Sequence, residues 1–202
     1  MPETEEFLPL PMTRERVPPV AQVRSTLVAS SVRALQTRGD FERYLTLLPE
    51  PLRATIPQIV AGTWLPLRDA YAHYQACNQL GYGPREFAEM GKDVGNRIHG
   101  TILSTAVRMA KGAGVTPWTI YAQFGRLWER SFIGGGITVR KTGPKEAHVE
   151  VVGQPLVGIP YYQAAQRATF LGLIELFCQK AYAADVRDGA TSTSATYRFA
   201  WV

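Results

Sequence analysis

His73 and Cys77 stand four residues apart, a spacing that sets both side chains on one face of a helix and within reach of a single metal ion or haem iron. His99 lies on another predicted helix and His148 on a predicted strand, and no local spacing carries either of them to His73. A metal centre asks for three or four ligands. His73, Cys77 and His99 are therefore candidates for a metal or haem site, set against the reading in which Cys77 is a small core residue and no metal is held.

Nucleophilic chemistry finds less to work with. The chain has no G-x-S-x-G, neither cysteine has a basic neighbour in sequence to lower its pKa, and Glu86 and Glu89 flank Arg85 on a helix face that suits solvent. The expectation is a protein that is not an enzyme, with no catalytic residue assigned. Aromatic residues are a second resource. Trp118, Tyr121, Trp128, Phe170, Leu173 and Phe177 recur at helical intervals and are the candidates to line a pocket for an apolar ligand, although each could equally fill a core.

The elements that would position these groups follow from hydrophobic period. Leu67, Ala70, Tyr71, Tyr74 and Cys77 keep helical spacing up to Gly81. A longer helix opens at Gly83 and Pro84 and carries Phe87, Met90, Val94, Ile98, Ile102 and Met109 on one stripe, with Lys111 and Gly112 as its C-terminal signal. Gly91 and Gly95, one turn apart, would let another helix approach closely. Thr116 and Pro117 have the form of a cap and first residue for an aromatic helix reaching Phe132. At Gly134, Gly135 and Gly136 the period changes to two, and Ile137, Val139 and Lys141 answer Ala147, Val149 and Val151 as a hairpin. The apolar run from Pro160 to Lys180 predicts the central helix, and Ala195, Tyr197, Phe199 and Trp201 a second antiparallel pair. Asp40 is expected to cap a short helix over FERYLTLL, while QVRSTLVAS fits a strand or a helix start equally well.

Composition sets the class. The 202 residues are 46% hydrophobic and 19% charged with a formal charge of +5, which describes an ordinary folded chain rather than a disordered or disulfide-built one. Five prolines and an early glutamate cluster make residues 1–20 a flexible tail, and residues 21–202 one domain. The arginines are spread along the chain, which argues against nucleic acid. The absence of a long apolar run and of a signal-like start predicts a cytoplasmic protein with no membrane span.

The order of elements, together with MGKDVGNRIHGTIL, RLWERSFIGGGITVRKTGPKEAHVEV, the ELF of the late helix and the final ATYRFAW, resembles a known fold group from about Trp64 to Trp201. That group holds subunits of the TRAPP vesicle-tethering complex, small-molecule-binding domains of the 4-vinyl reductase type and, more remotely, haem nitric-oxide-binding domains. Within it the pattern is similar to a paralogous family of myxobacterial proteins. The resemblance implies an α+β fold, a helical layer on a twisted antiparallel sheet of about four strands, and pairing through helices as a homodimer. It carries no cofactor across residue by residue. The stretch KGAGVTPW lacks the acylated cysteine of certain TRAPP subunits, DGATSTSATYRFAWV lacks the cysteines of reductase-type domains, and neither His73 nor His99 sits in a specific haem motif. The leading expectation is a non-catalytic sensory or interaction module that takes an apolar small molecule or a protein partner and needs no cofactor. The alternatives are a haem or metal sensor using His73, Cys77 or His99, and a dimerisation adaptor with a filled core.

Overall fold

The computed structural model describes residues 5–99 and 116–202, with the backbone alone at 96–99 and 187–189. A strand β1 (Glu5–Leu8) opens the chain, and β2 (Gln22–Arg24) runs straight into helix α1 (Ser25–Arg38), so the ambiguous segment QVRSTLVAS is both strand and helix. Two short helices, α2 (Phe41–Leu47) and α3 (Glu50–Thr55), are separated by Pro49. Next come β3 (Trp64–Pro66), α4 (Leu67–Asn78) and α5 (Pro84–His99). The predicted continuation of α5 through Met109, with Lys111 and Gly112, lies outside the described residues. Helices α6 (Pro117–Tyr121) and α7 (Phe124–Ser131) take the place of the single aromatic helix. The rest is β4 (Phe132–Ile133), β5 (Gly136–Gly143), β6 (Glu146–Val152), α8 (Pro160–Glu175), β7 (Ala181–Thr191) and β8 (Ser194–Trp201).

The main sheet is antiparallel and has five strands in the order β1-β5-β6-β8-β7, one more than the expected number, and a second sheet of three is ordered β3-β2-β4. The extra strand is the segment expected to be a tail. Glu5 and Glu6 register with Lys141 and Arg140, and the Thr138 hydroxyl donates to the Leu8 carbonyl at 2.7 Å, so the N-terminal residues form a sheet edge. Proline content hid this, because four residues between prolines suffice for an edge strand. Val149 pairs with both Val139 and Tyr197, and Val151 with Ile137 and Ala195, which stacks the period-two residues into one buried face.

Against that face lies α8, which ends at Glu175 rather than near Lys180 and leaves Leu176 exposed. Helices α4 and α5 cover its other side, and α1 packs on α5. The approach of α5 is closest at Gly91: a Cβ there would stand 2.4 Å from the Ala165 carbonyl oxygen, whereas one at Gly95 would meet Thr169 Cγ2 at 3.4 Å. The Thr169 hydroxyl bridges the crossing, 3.0 Å from the Gly91 carbonyl and 2.9 Å from that of Ala165. Asp40 and Thr116 precede their helices without a side-chain capping bond. Gly134 and Gly135 both take positive φ, at 88° and 64°, and a Cβ on Gly134 would strike the Pro19 carbonyl at 2.3 Å, so these glycines make the turn into β5.

Candidate ligand cavity

Where α1, α4, α5, α7 and α8 converge over β4 and β5, the core leaves a cavity of about 90 Å³. Helix α8 supplies one wall through Tyr161, Tyr162, Gln166, Thr169, Phe170 and Leu173; α7 supplies Phe124, Leu127, Trp128 and Ser131. Leu27 and Ser31 come from α1, Tyr74 from α4, Gly91 and Val94 from α5. The absence of a side chain at Gly91 draws α5 onto α8, while the aromatic rings of α7 hold that helix off the crossing. The space between is what remains. A filled interior, as the adaptor reading requires, is therefore not what this core has.

Of the pocket residues expected from sequence, Trp128, Phe170 and Leu173 line the cavity and Trp118, Tyr121 and Phe177 do not. Trp118 sits between Phe7 and Trp201, with ring centroids 5.0 Å from each, and donates its indole N–H to the Pro144 carbonyl, closing the outer end of the sheet. Tyr121 stacks beside it, buried against Phe124 and Trp201. Phe177 falls in the turn beyond α8, where the helical interval that selected it no longer applies.

The sequence reading missed the polar wall. Tyr162, Gln166, Thr169 and Leu173 share a face of α8, and three polar side chains at intervals of three and four on the face that also carries Leu173 are the signal that could have found it. The Tyr162 hydroxyl accepts from the side-chain amides of Gln154 (3.2 Å) and Gln166 (3.1 Å), and Tyr197 donates to Gln166 Oε1 at 2.9 Å. Ser31 and Tyr161 hydroxyls pair at 3.3 Å.

Behind Ser31 and Tyr74 runs the His73–Cys77 pair. The Tyr44 hydroxyl is 2.6 Å from His73 Nδ1, Cys77 Sγ is 3.7 Å from Nε2, and Ser31 Oγ is 4.0 Å from the same sulfur. Burial drives the His73 imidazole down to about 3 and pushes the Cys77 thiol up to about 12, so both are uncharged at neutral pH. Neither residue lines the cavity. His99 is the last described residue of α5, and its side chain lies outside the described residues. Among the described residues no three His, Cys, Asp or Glu side chains gather to hold a metal ion.

No protein-family model and no curated protein matches the chain. Solved structures do. The unliganded Fe(II) H-NOX protein from K. algicida superposes with a TM-score of 0.59 at 7% identity, covering 89% of this chain and 96% of that one. The oxygen complex of an H-NOX domain related to soluble guanylate cyclases gives 0.54 at 11% identity over 88% and 94% of the two chains. A mutant of the T. tengcongensis H-NOX gives 0.53 at 12% identity over 88% and 97%. This chain has the H-NOX fold. Of the three branches in the resemblance drawn from sequence, the haem nitric-oxide-binding branch is the one whose fold these neighbours share.

The cavity itself can be asked whether it suits a haem. An iron porphyrin needs an axial ligand and cations for its propionates. The wall holds no histidine, cysteine, methionine, lysine or arginine among the described residues. Tyrosine can ligate haem iron as phenolate, but burial raises the pKa of Tyr74, Tyr161 and Tyr162 and keeps them as phenols. The volume is also small against the roughly 300–1,000 Å³ of a cofactor-sized site. The described residues of this cavity do not fit a haem.

Proposed function

We propose that the protein is a non-catalytic binding module of the H-NOX fold whose cavity takes a small, neutral, apolar molecule directly, without haem. The observation that carries this is the wall: among the described residues it is built of aromatic and aliphatic side chains with uncharged hydroxyl and amide groups, and holds no ionic side chain. A cavity of this size is somewhat smaller than the engineered apolar space of about 150 Å³ that admits benzene or xenon, which points to an occupant of about four heavy atoms. Among the described residues nothing in the wall pairs an acid with a base, so binding rather than turnover is the assigned role. Membership of the myxobacterial paralogous family rests on the sequence motifs, and pairing as a homodimer on the habit of the fold group they resemble.

Xenon-129 NMR tests the reading. A protein-dependent shift of the xenon resonance is expected, and Val94→Phe, which fills the cavity, should reduce it to the non-specific level while the circular dichroism spectrum stays that of a folded chain. A wild-type protein that leaves the resonance at the non-specific level contradicts the proposal.

The fold likeness supports a second reading, a haem sensor in which His99 supplies the ligand. It predicts a Soret band at one haem per chain on hemin titration, lost in His99→Ala. The apolar-ligand reading predicts no stoichiometric band.

A further inference from the structure

Tyr74 is 6% exposed and lines the cavity, and its hydroxyl, open to that space, makes no hydrogen bond to any described residue. Its ring is wedged edge-on between His73 and Tyr162, both with centroids 4.8 Å away. A tyrosine oxygen lies on the ring axis, so a ring fixed in this way cannot swing its hydroxyl to a partner elsewhere. The other buried hydroxyls of the wall are engaged: Ser31 with Tyr161, and Tyr162 with two glutamine amides. Because Tyr162 accepts both of those bonds, its own proton also has no acceptor among the described residues. Among the described residues the wall therefore offers two unused O–H donors, on Tyr74 and Tyr162, against one unused buried acceptor, the Tyr74 oxygen itself.

We infer that the ligand of this cavity carries a single acceptor oxygen on an apolar body, as a small ketone or aldehyde does, and that Tyr74 donates to that oxygen. The inference rests on the apolar-ligand reading above and names the ligand class. A water molecule is a poorer occupant: it could accept from Tyr74 and Tyr162, but it would leave most of the described wall, which is aromatic and aliphatic apart from the Ser131 hydroxyl and groups already bonded, without a packing partner. An alkane leaves the Tyr74 hydroxyl desolvated and unpaired, which costs affinity. A carboxylate or ammonium group would meet no countercharge among the described residues of the wall. A carbonyl oxygen accepts up to two hydrogen bonds, matching the donors of Tyr74 and Tyr162.

The test uses two probes of one shape, acetone and 2-methylpropene, which differ by oxygen against methylene. Affinities come from NMR titration of the methyl groups of Leu27, Val94 and Leu173. Tyr74→Phe is expected to weaken acetone about five- to tenfold, the equivalent of one ordinary hydrogen bond, and to leave 2-methylpropene within about twofold. Equal losses for both probes, or none for acetone, overturn the assignment of Tyr74. If neither probe shifts the wild-type methyls, the apolar-ligand reading fails and the inference with it. Should Tyr74→Phe not fold, the infrared band of carbonyl-labelled acetone bound to the wild-type protein decides: a band below its position in hexane supports the hydrogen bond, and an unshifted band rejects it.

Discussion

The Tyr44 hydroxyl lies 2.6 Å from His73 Nδ1, and this contact, with Cys77 Sγ at 3.7 Å from Nε2, occupies both imidazole nitrogens inside the protein. The pair that looked most like a ligand set by spacing is thus a sealed strut between α2 and α4. It carries a pH signature. An unfolded histidine titrates near 6.5, whereas His73 is held at about 3. Above about pH 6.5 the imidazole is neutral in both states and stability is unaffected by it. Below that, the unfolded chain binds a proton that the folded chain refuses, and stability falls by ~1.4 kcal/mol per pH unit until the folded pKa is reached. Denaturant unfolding between pH 6.5 and 5 should show a loss of ~2 kcal/mol. The measurement belongs in a His148→Gln background, because burial and Arg140 lower that imidazole too. His73→Asn should start less stable and lose most of the slope; an unchanged slope would show that another group titrates.

At the α5–α8 crossing the two glycines should behave oppositely. Gly91→Ala forces a Cβ to within 2.4 Å of backbone, and a loss of ~1–3 kcal/mol by overpacking is expected. Gly95→Ala meets only the Thr169 methyl at 3.4 Å. There the helix preference for alanine, worth up to ~1 kcal/mol, should leave stability unchanged or raised. Thermal or urea unfolding of the two variants reads the difference, and equal losses would place both glycines at the contact.

Strand β1 should be held through Thr138. Thr138→Val removes the hydroxyl that donates to the Leu8 carbonyl and should cost ~1 kcal/mol by urea unfolding, with faster amide exchange at the β1–β5 pairing. Exchange that stays at the wild-type rate would mean that the backbone ladder alone secures the edge.

Elements with a strong period were legible in the sequence. The hairpin of β5 and β6 follows its alternation, and the apolar circumference of Phe170, Leu173 and Ile174 marks the central helix. What hid was set by tertiary contact. Glu5–Leu8 becomes a strand because β5 offers an unpaired edge, which four residues between prolines do not announce. The cavity was half visible: Trp128, Phe170 and Leu173 are aromatic or apolar at helical spacing, but so are Trp118 and Phe177, and only the packing of α7 against α8 separates wall from cover. Tyr74 shows in the sequence only as one of the helically spaced positions of its helix, and its unpaired hydroxyl has no sequence signature at all.

The most direct test of the central claim is a methyl-resolved NMR titration of the haem-free protein with 2-methylpropene. Saturable shifts confined to Leu27, Val94, Leu127, Ile137 and Leu173 are the predicted result, since these methyls line the cavity from five elements, α1, α5, α7, β5 and α8. Saturable shifts absent up to the solubility limit of the gas, or centred on core methyls away from the wall such as Val23 and Leu48, would contradict it.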